Sequence, residues 1–130
     1  MSDSLADDLA KLRAAFKPVF DKSQAEWESE GPAAMAAFKA TGAALDQIGG
    51  NCPVQAEGDV DGKRFYFRAR GDSWQFHVAE TEKDIFDNDL FYHEANYGEQ
   101  FEAGWMPRHE ALGFIVGAIG LYRAVAPSHD

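Results

Sequence analysis

Three stretches between residues 54 and 79 alternate apolar and polar side chains, and two turn-forming dipeptides, Asp61-Gly62 and Gly71-Asp72, separate them. Alternation with a period of two marks a strand that buries one face, and a two-residue hairpin loop needs a positive φ that Gly and Asp tolerate. The pattern therefore predicts a three-stranded antiparallel meander and also its register. A turn centred on Gly71-Asp72 sets Ala69 opposite Trp74, Phe67 opposite Phe76 and Phe65 opposite Val78 on one face, with Arg68 opposite Gln75 and Tyr66 opposite His77 on the other. A turn centred on Asp61-Gly62 sets Phe67 against Ala56 and Ala69 against Val54 on the same apolar face, with Asp59 against Arg64 and Glu57 against Tyr66 outside. Both turns assign every shared residue to the same side, which a chance pattern seldom does.

Full burial of Phe65, Phe67, Trp74, Phe76 or Val78 is worth roughly 1.5 to 3 kcal/mol each, so the apolar face demands a cover. A three-stranded sheet is not stable without one. The opposite face presents Glu57, Arg64, Tyr66, Arg68, Gln75 and His77. Two readings fit it: a solvated surface held by cross-strand pairs, or a ligand platform centred on Tyr66, Arg68 and His77 with Glu57 beside them.

The cover is predicted from helical periodicity on either side. Leu5, Leu9, Leu12, Phe16, Val19 and Phe20 recur at three- and four-residue steps, the stripe of an amphipathic helix starting near Ser4. Pro18 kinks or restarts it, and Gly31-Pro32 is the predicted break. A second helix over 32–48, with Met35, Phe38, Leu45 and Ile48 on one side, is predicted to stop at Gly49-Gly50 and to form a hairpin with the first. A last helix over 107–125 has Pro107 in its first turn and buries Leu112, Ile115, Val116, Ile119 and Tyr122. Gly113, Gly117 and Gly120 weaken it by about 0.8 to 1 kcal/mol each relative to Ala, which suggests close packing at that face.

The predicted architecture is α+β. A three-stranded meander, with a fourth strand at 90–92 or 100–101 as an option, packs one face against an N-terminal helical hairpin and a C-terminal helix. One domain over residues 1–130 accommodates it: helical over 1–50, the meander at 54–79, a connection at 80–106 and the last helix at 107–125. The connection has no clean period, though Thr81 is placed to cap a short helix.

Charge changes the picture at that connection. The chain has a formal net charge of −10, and nine carboxylates stand against two cations between residues 80 and 110. Such a field repels phosphate backbones and attracts basic surfaces, so no direct nucleic-acid binding is expected and the expected partner is a protein with a basic surface. The same segment contains Phe86, Phe91, Tyr92, Tyr97, Phe101 and Trp105. Rings supply rigid contact area and carboxylates steer encounters with Lys and Arg, so Asp87, Asp89, Phe91, Tyr92, Glu94, Tyr97 and Trp105 are the candidate partner-binding residues. A homodimer contacting through the glycine face of the last helix is a further reading.

No residue pattern specifies a reaction, and no cofactor is expected. Asp84, Asp87, Asp89, His93 and Glu94 are suitable metal donors, yet their spacing matches no ligand loop, so no metal site is assigned. Cys52 with His77, and Glu57 with His77 about Tyr66, have the composition of a nucleophile–base pair and an acid–base pair. His109 beside Glu110 is better explained by local charge at a helix start. With one cysteine, no apolar leader and no apolar run near the ~20 residues that cross a bilayer, a cytoplasmic location without membrane contact is expected. The leading expectation is a non-enzymatic binding module, and the alternative is a small-ligand binder or enzyme at Glu57, Tyr66, Arg68 and His77.

Overall fold

The computed structural model describes residues 2–50, 53–98 and 102–126, without the side chains of residues 2–6, 12, 13, 16, 19 and 20. Five antiparallel strands follow one another in sheet order: β1 (Ala44–Gly49), β2 (Val54–Val60), β3 (Lys63–Arg70), β4 (Ser73–Ala79) and β5 (Phe91–Asn96). Helix α1 (Ser2–Ala40) precedes the sheet and helix α2 (Arg108–Val125) follows it. The class is α+β, with two strands more than the core meander.

Within the meander every expected pair is present. Val54, Ala56, Glu57 and Asp59 oppose Ala69, Phe67, Tyr66 and Arg64, and Phe65, Tyr66, Phe67, Arg68 and Ala69 oppose Val78, His77, Phe76, Gln75 and Trp74. The turn chemistry is responsible. Asp61 and Gly62 both take positive φ, as a type I′ turn demands, whereas in the second turn only Gly71 does, matching type II′.

The N-terminal region departs from expectation. The predicted helical hairpin is one unbroken helix of 39 residues, about 58 Å long at 1.5 Å per residue, already under way before Ser4. Neither Pro18 nor Gly31-Pro32 ends it. Both prolines are exposed, so the carbonyls of Ala14 and Glu28 that lose a donor can turn to water. Gly31 is needed for another reason: the Trp27 indole lies over it so closely that a methyl there would displace the ring. The helix stops at Gly42, whose φ of +84° and bond from its N–H to the Lys39 carbonyl form a left-handed cap. Thr41 donates its hydroxyl to Phe38 O in the same turn.

Residues 44–49, expected to be helical, therefore form edge strand β1, and Gly49-Gly50 ends a strand. The pairing slips between Leu45 and Gln47, which leaves Asp46 as an extra residue on the bulged edge. Gly58 lies beneath this strand, where a Cβ would run into the Ala44 carbonyl and the Phe65 ring edge. The free edge carries the bulge and a charged residue, both of which hinder edge-to-edge pairing.

The core fills the space between the inner sheet face and the helices. Phe38 from α1, Leu112, Ile115, Ile119 and Tyr122 from α2, and Val54, Ala56, Val60, Phe65, Phe67, Trp74, Phe76 and Val78 from the sheet are buried together. Val116 is only partly buried. The glycines of α2 do not pack as expected: a methyl at Gly113, Gly117 or Gly120 would meet open space. At the ends, Arg123 of α2 makes a two-bond clasp on Asp61 in the β2–β3 turn, and Arg108 lies 4.6 Å above the Trp27 ring. Helix α2 starts at Arg108, one residue later than expected, with Pro107 as its cap.

The connection from 80 to 106 is structured. The 3₁₀ turn Glu82–Asp84 follows Thr81, whose hydroxyl bonds the Asp84 side chain and not the backbone. Strand β5 extends the option at 90–92, and the 3₁₀ turn Ala103–Trp105 hangs from the β3–β4 turn by the bond from Ala103 N–H to Gly71 O. The apolar stripe at Leu5, Leu12, Phe16, Val19 and Phe20, the option at 100–101, Cys52 and the tail past Ala126 lie outside the described side chains or residues.

Candidate binding site on the outer sheet face

The outer sheet face is not a uniformly solvated surface, because the loop between β4 and β5 folds back over part of it. Thr81 and Asn88 bond the two oxygens of Asp84, whose own carbonyl accepts from the N–H groups of Asp87 and Asn88. The resulting tight loop throws Phe86 into a left-handed conformation with φ of +77°, rare and costly for a bulky residue. Its ring lies edge-on over His77 at 4.6 Å and Tyr66 at 5.3 Å between centroids, yet 55% of Phe86 is exposed.

Asp89 holds this arrangement. One of its oxygens accepts the Phe86 N–H at 3.0 Å, and the other pairs with His77 Nδ1 at 2.8 Å. An ionised carboxylate only accepts, so Nδ1 carries the proton of this bond. His77 is 3% exposed although it lies on the outward side of β4, with Phe86 above it, Tyr92 edge-on at 4.9 Å and Gln75 Oε1 facing Nε2 at 3.3 Å. The imidazole is thus the buried floor of an aromatic group whose upper members, Phe86 and Tyr92, remain open to solvent.

Strand β5 sorts the remaining candidates. Adjacent residues of a strand point to opposite faces, so Phe91, His93, Ala95 and Tyr97 turn inward and Tyr92, Glu94 and Asn96 outward. Phe91 packs on Phe76 and Tyr122, and His93 lies against Trp74 at 5.4 Å. Tyr97 packs edge-on against Phe114 and donates its hydroxyl to Glu110; burial first, and that bond second, push its pKa up to about 12. Tyr92 is 47% exposed and donates to Glu94 at 2.7 Å, a bond that is the main reason its pKa is pushed up to about 12. Asp87 is exposed on the loop tip, and Trp105, 45% exposed, belongs to the 3₁₀ turn beside Gly71.

The seven residues considered for partner binding therefore divide. Asp87, Tyr92 and Glu94 share the outer face with Phe86, Asp89 serves as its clamp, Phe91 and Tyr97 join the inner packing, and Trp105 stands at the turn end of the sheet. Leu90, 51% exposed, adjoins this group in sequence and precedes Tyr92 by two residues. Of the alternative set, Tyr66 contacts Phe86 and has its pKa raised, chiefly by burial, while Glu57 accepts from Gln47. Arg68 lies towards the β3–β4 turn, across from Gln75. His77 is buried beneath the Phe86 and Tyr92 rings, with one ring nitrogen on Asp89 and the other facing Gln75. Among the described residues no three His, Cys, Asp or Glu side chains converge on a common point, and His109 Nδ1 is buried without a hydrogen-bond partner.

Phe86 was not singled out from the sequence. Its only local signal is the crowding of Asp84, Asp87, Asn88 and Asp89 around it, a composition that favours tight loops. That the loop turns back onto His77 follows from the five-strand topology. No family model matches the chain, no curated protein matches it in sequence and no solved structure matches it in fold.

Proposed function

We propose that this protein is a small acidic binding module that captures a basic protein segment on the outer sheet face, seating a Lys or Arg side chain against Phe86, Tyr92 and Tyr66. The observation that carries the reading is Phe86: a large ring held at positive φ by a dedicated carboxylate and left more than half exposed. Hydrophobic burial would have been served better by turning it inward, and backbone strain of this kind persists where the surroundings impose it, often at binding sites. Glu94, Asp87 and Glu57 surround the rings with negative charge, which would steer a cation onto their faces. The small-ligand alternative at His77 loses support because the imidazole lies under Phe86.

A Lys- and Arg-rich probe peptide titrated against the protein at low salt tests this. Exposed cation–π contacts contribute about 0.5 to 1 kcal/mol, so Phe86→Ala and Tyr92→Ala should each weaken binding roughly two- to fivefold with the circular dichroism spectrum unchanged. Charge reversal of Asp87 and Glu94 to Lys should weaken it further and flatten the salt dependence. Affinity equal to the parent in all of these variants would exclude this face.

A further inference from the structure

At the other end of the same face, next to the β3–β4 turn, Arg68, Arg70, Gly71, Ser73 and Gln75 line an open concavity of ≈ 250 Å³. Arg68 and Arg70 are alternate residues of β3, so their side chains leave the same face about 7 Å apart, and Gln75 and Ser73 are their partners across β4. The two guanidinium groups differ from the other arginines with described side chains. Arg64 meets Asp46 and Asp59, Arg123 clasps Asp61, and Arg108 bonds Gln24 over the Trp27 ring. Arg68 and Arg70 have no carboxylate partner among the described residues, in a chain with 22 carboxylates and 12 cationic side chains. Of the nearby carboxylates, Glu94, across from Gln75, accepts from Tyr92 and Glu57 accepts from Gln47, while Asp72 in the β3–β4 turn is exposed and forms no ion pair with either arginine among the described residues.

Arg68 adds a second, independent sign. Its Nε is buried and has no hydrogen-bond partner among the described residues, an arrangement that buried donors rarely keep. A guanidinium satisfies its donors best in two parallel bonds to an oxyanion, and a hydroxyl and a carboxamide complete a set of donors suited to several oxygens. We infer that the concavity formed by Arg68, Arg70, Ser73 and Gln75 is a binding site for a doubly charged oxyanion, the phosphoryl group of a small molecule. Two guanidinium groups without an ion-pair partner among the described residues match a dianion. The site adjoins the aromatic group about Phe86 at Gln75, whose Oε1 faces His77 Nε2 at 3.3 Å.

Inorganic phosphate is the probe, titrated at pH 8 into isotopically labelled protein with ionic strength held constant by chloride. Saturable shifts of the Gly71, Ser73 and Gln75 backbone amides are expected, with acetate binding several-fold more weakly. Arg68→Gln/Arg70→Gln should weaken phosphate binding about tenfold or more. Arg70→Gln alone, on an exposed side chain, should give a smaller loss and serves as the check on folding. Shifts that chloride reproduces, acetate binding as tight as phosphate, or unchanged affinity in a folded Arg70→Gln protein would overturn the assignment.

Discussion

Phe86 puts the relation between strain and function into a form that can be measured. A left-handed backbone costs an L-residue with a Cβ about 1 to 2 kcal/mol relative to the right-handed region, and glycine is exempt. Phe86→Ala keeps the strain and loses the ring contacts to His77 and Tyr66, whereas Phe86→Gly loses the same contacts and relieves the strain. The glycine variant should therefore be more stable than the alanine variant by about 1 kcal/mol in urea denaturation, the reverse of their order at an ordinary loop position. Equal stabilities, or alanine ahead, would mean that the backbone at this residue is not held as described. His77 belongs to the same unit, since the carboxylate that pairs with it also bonds the Phe86 amide. A sequence reader sees a histidine facing outward on a strand; only the path of the loop turns it into a covered support.

Among the elements, α1 offers the clearest contrast between local signals and the fold. Gly31-Pro32 is a strong local stop, yet α1 passes through it because the exposed proline costs one hydrogen bond and the glycine makes room for Trp27. A proline inside a helix is disfavoured by about 3 kcal/mol relative to alanine. Pro32→Ala should raise stability by a sizeable part of that amount and leave helical ellipticity unchanged or slightly higher, measured by circular dichroism and urea unfolding. A helical hairpin with its turn at Gly31-Pro32 would respond in the opposite way, since there proline fits the turn. The true stop, Thr41-Gly42, was hidden because Ala43, Ala44 and Leu45 continue a helix-compatible pattern. Strand β1 was therefore missed, while β2 to β4 were legible to the residue, because two-residue turns leave so little freedom in the pairing. Strand β5 fell between: Phe91 and Tyr92 are both aromatic but lie on opposite faces, so its alternation does not read as apolar against polar.

For the molecule as a whole, the charge balance was legible in the sequence but its distribution in space was not. Carboxylates of the 80–110 segment have separate tasks: Asp84 and Asp89 build the loop, Glu94 bonds Tyr92, and Glu110 ties β5 to α2 through Tyr97. This last tie predicts how stability responds to alkali. Burial and the Glu110 carboxylate push Tyr97 up to about 12 in the folded protein, against about 10 for an unfolded tyrosine. Between those values the folded state holds a proton that the unfolded state has released, so stability must fall as pH rises through this window. The contribution of the Tyr97 hydroxyl is fully present below pH 10 and is lost towards pH 12. Tyr97→Phe cannot titrate and should lose the Glu110 bond, so it should be less stable than the parent at pH 8, with the gap closing as pH rises from 10 to 12. Tyr92 also titrates late and adds to the decline in both proteins, so the difference between the two unfolding curves isolates Tyr97. A gap that stays constant across that range would show that the hydroxyl is not held between Phe114 and Glu110, and the link from β5 to α2 would then rest on ring packing alone.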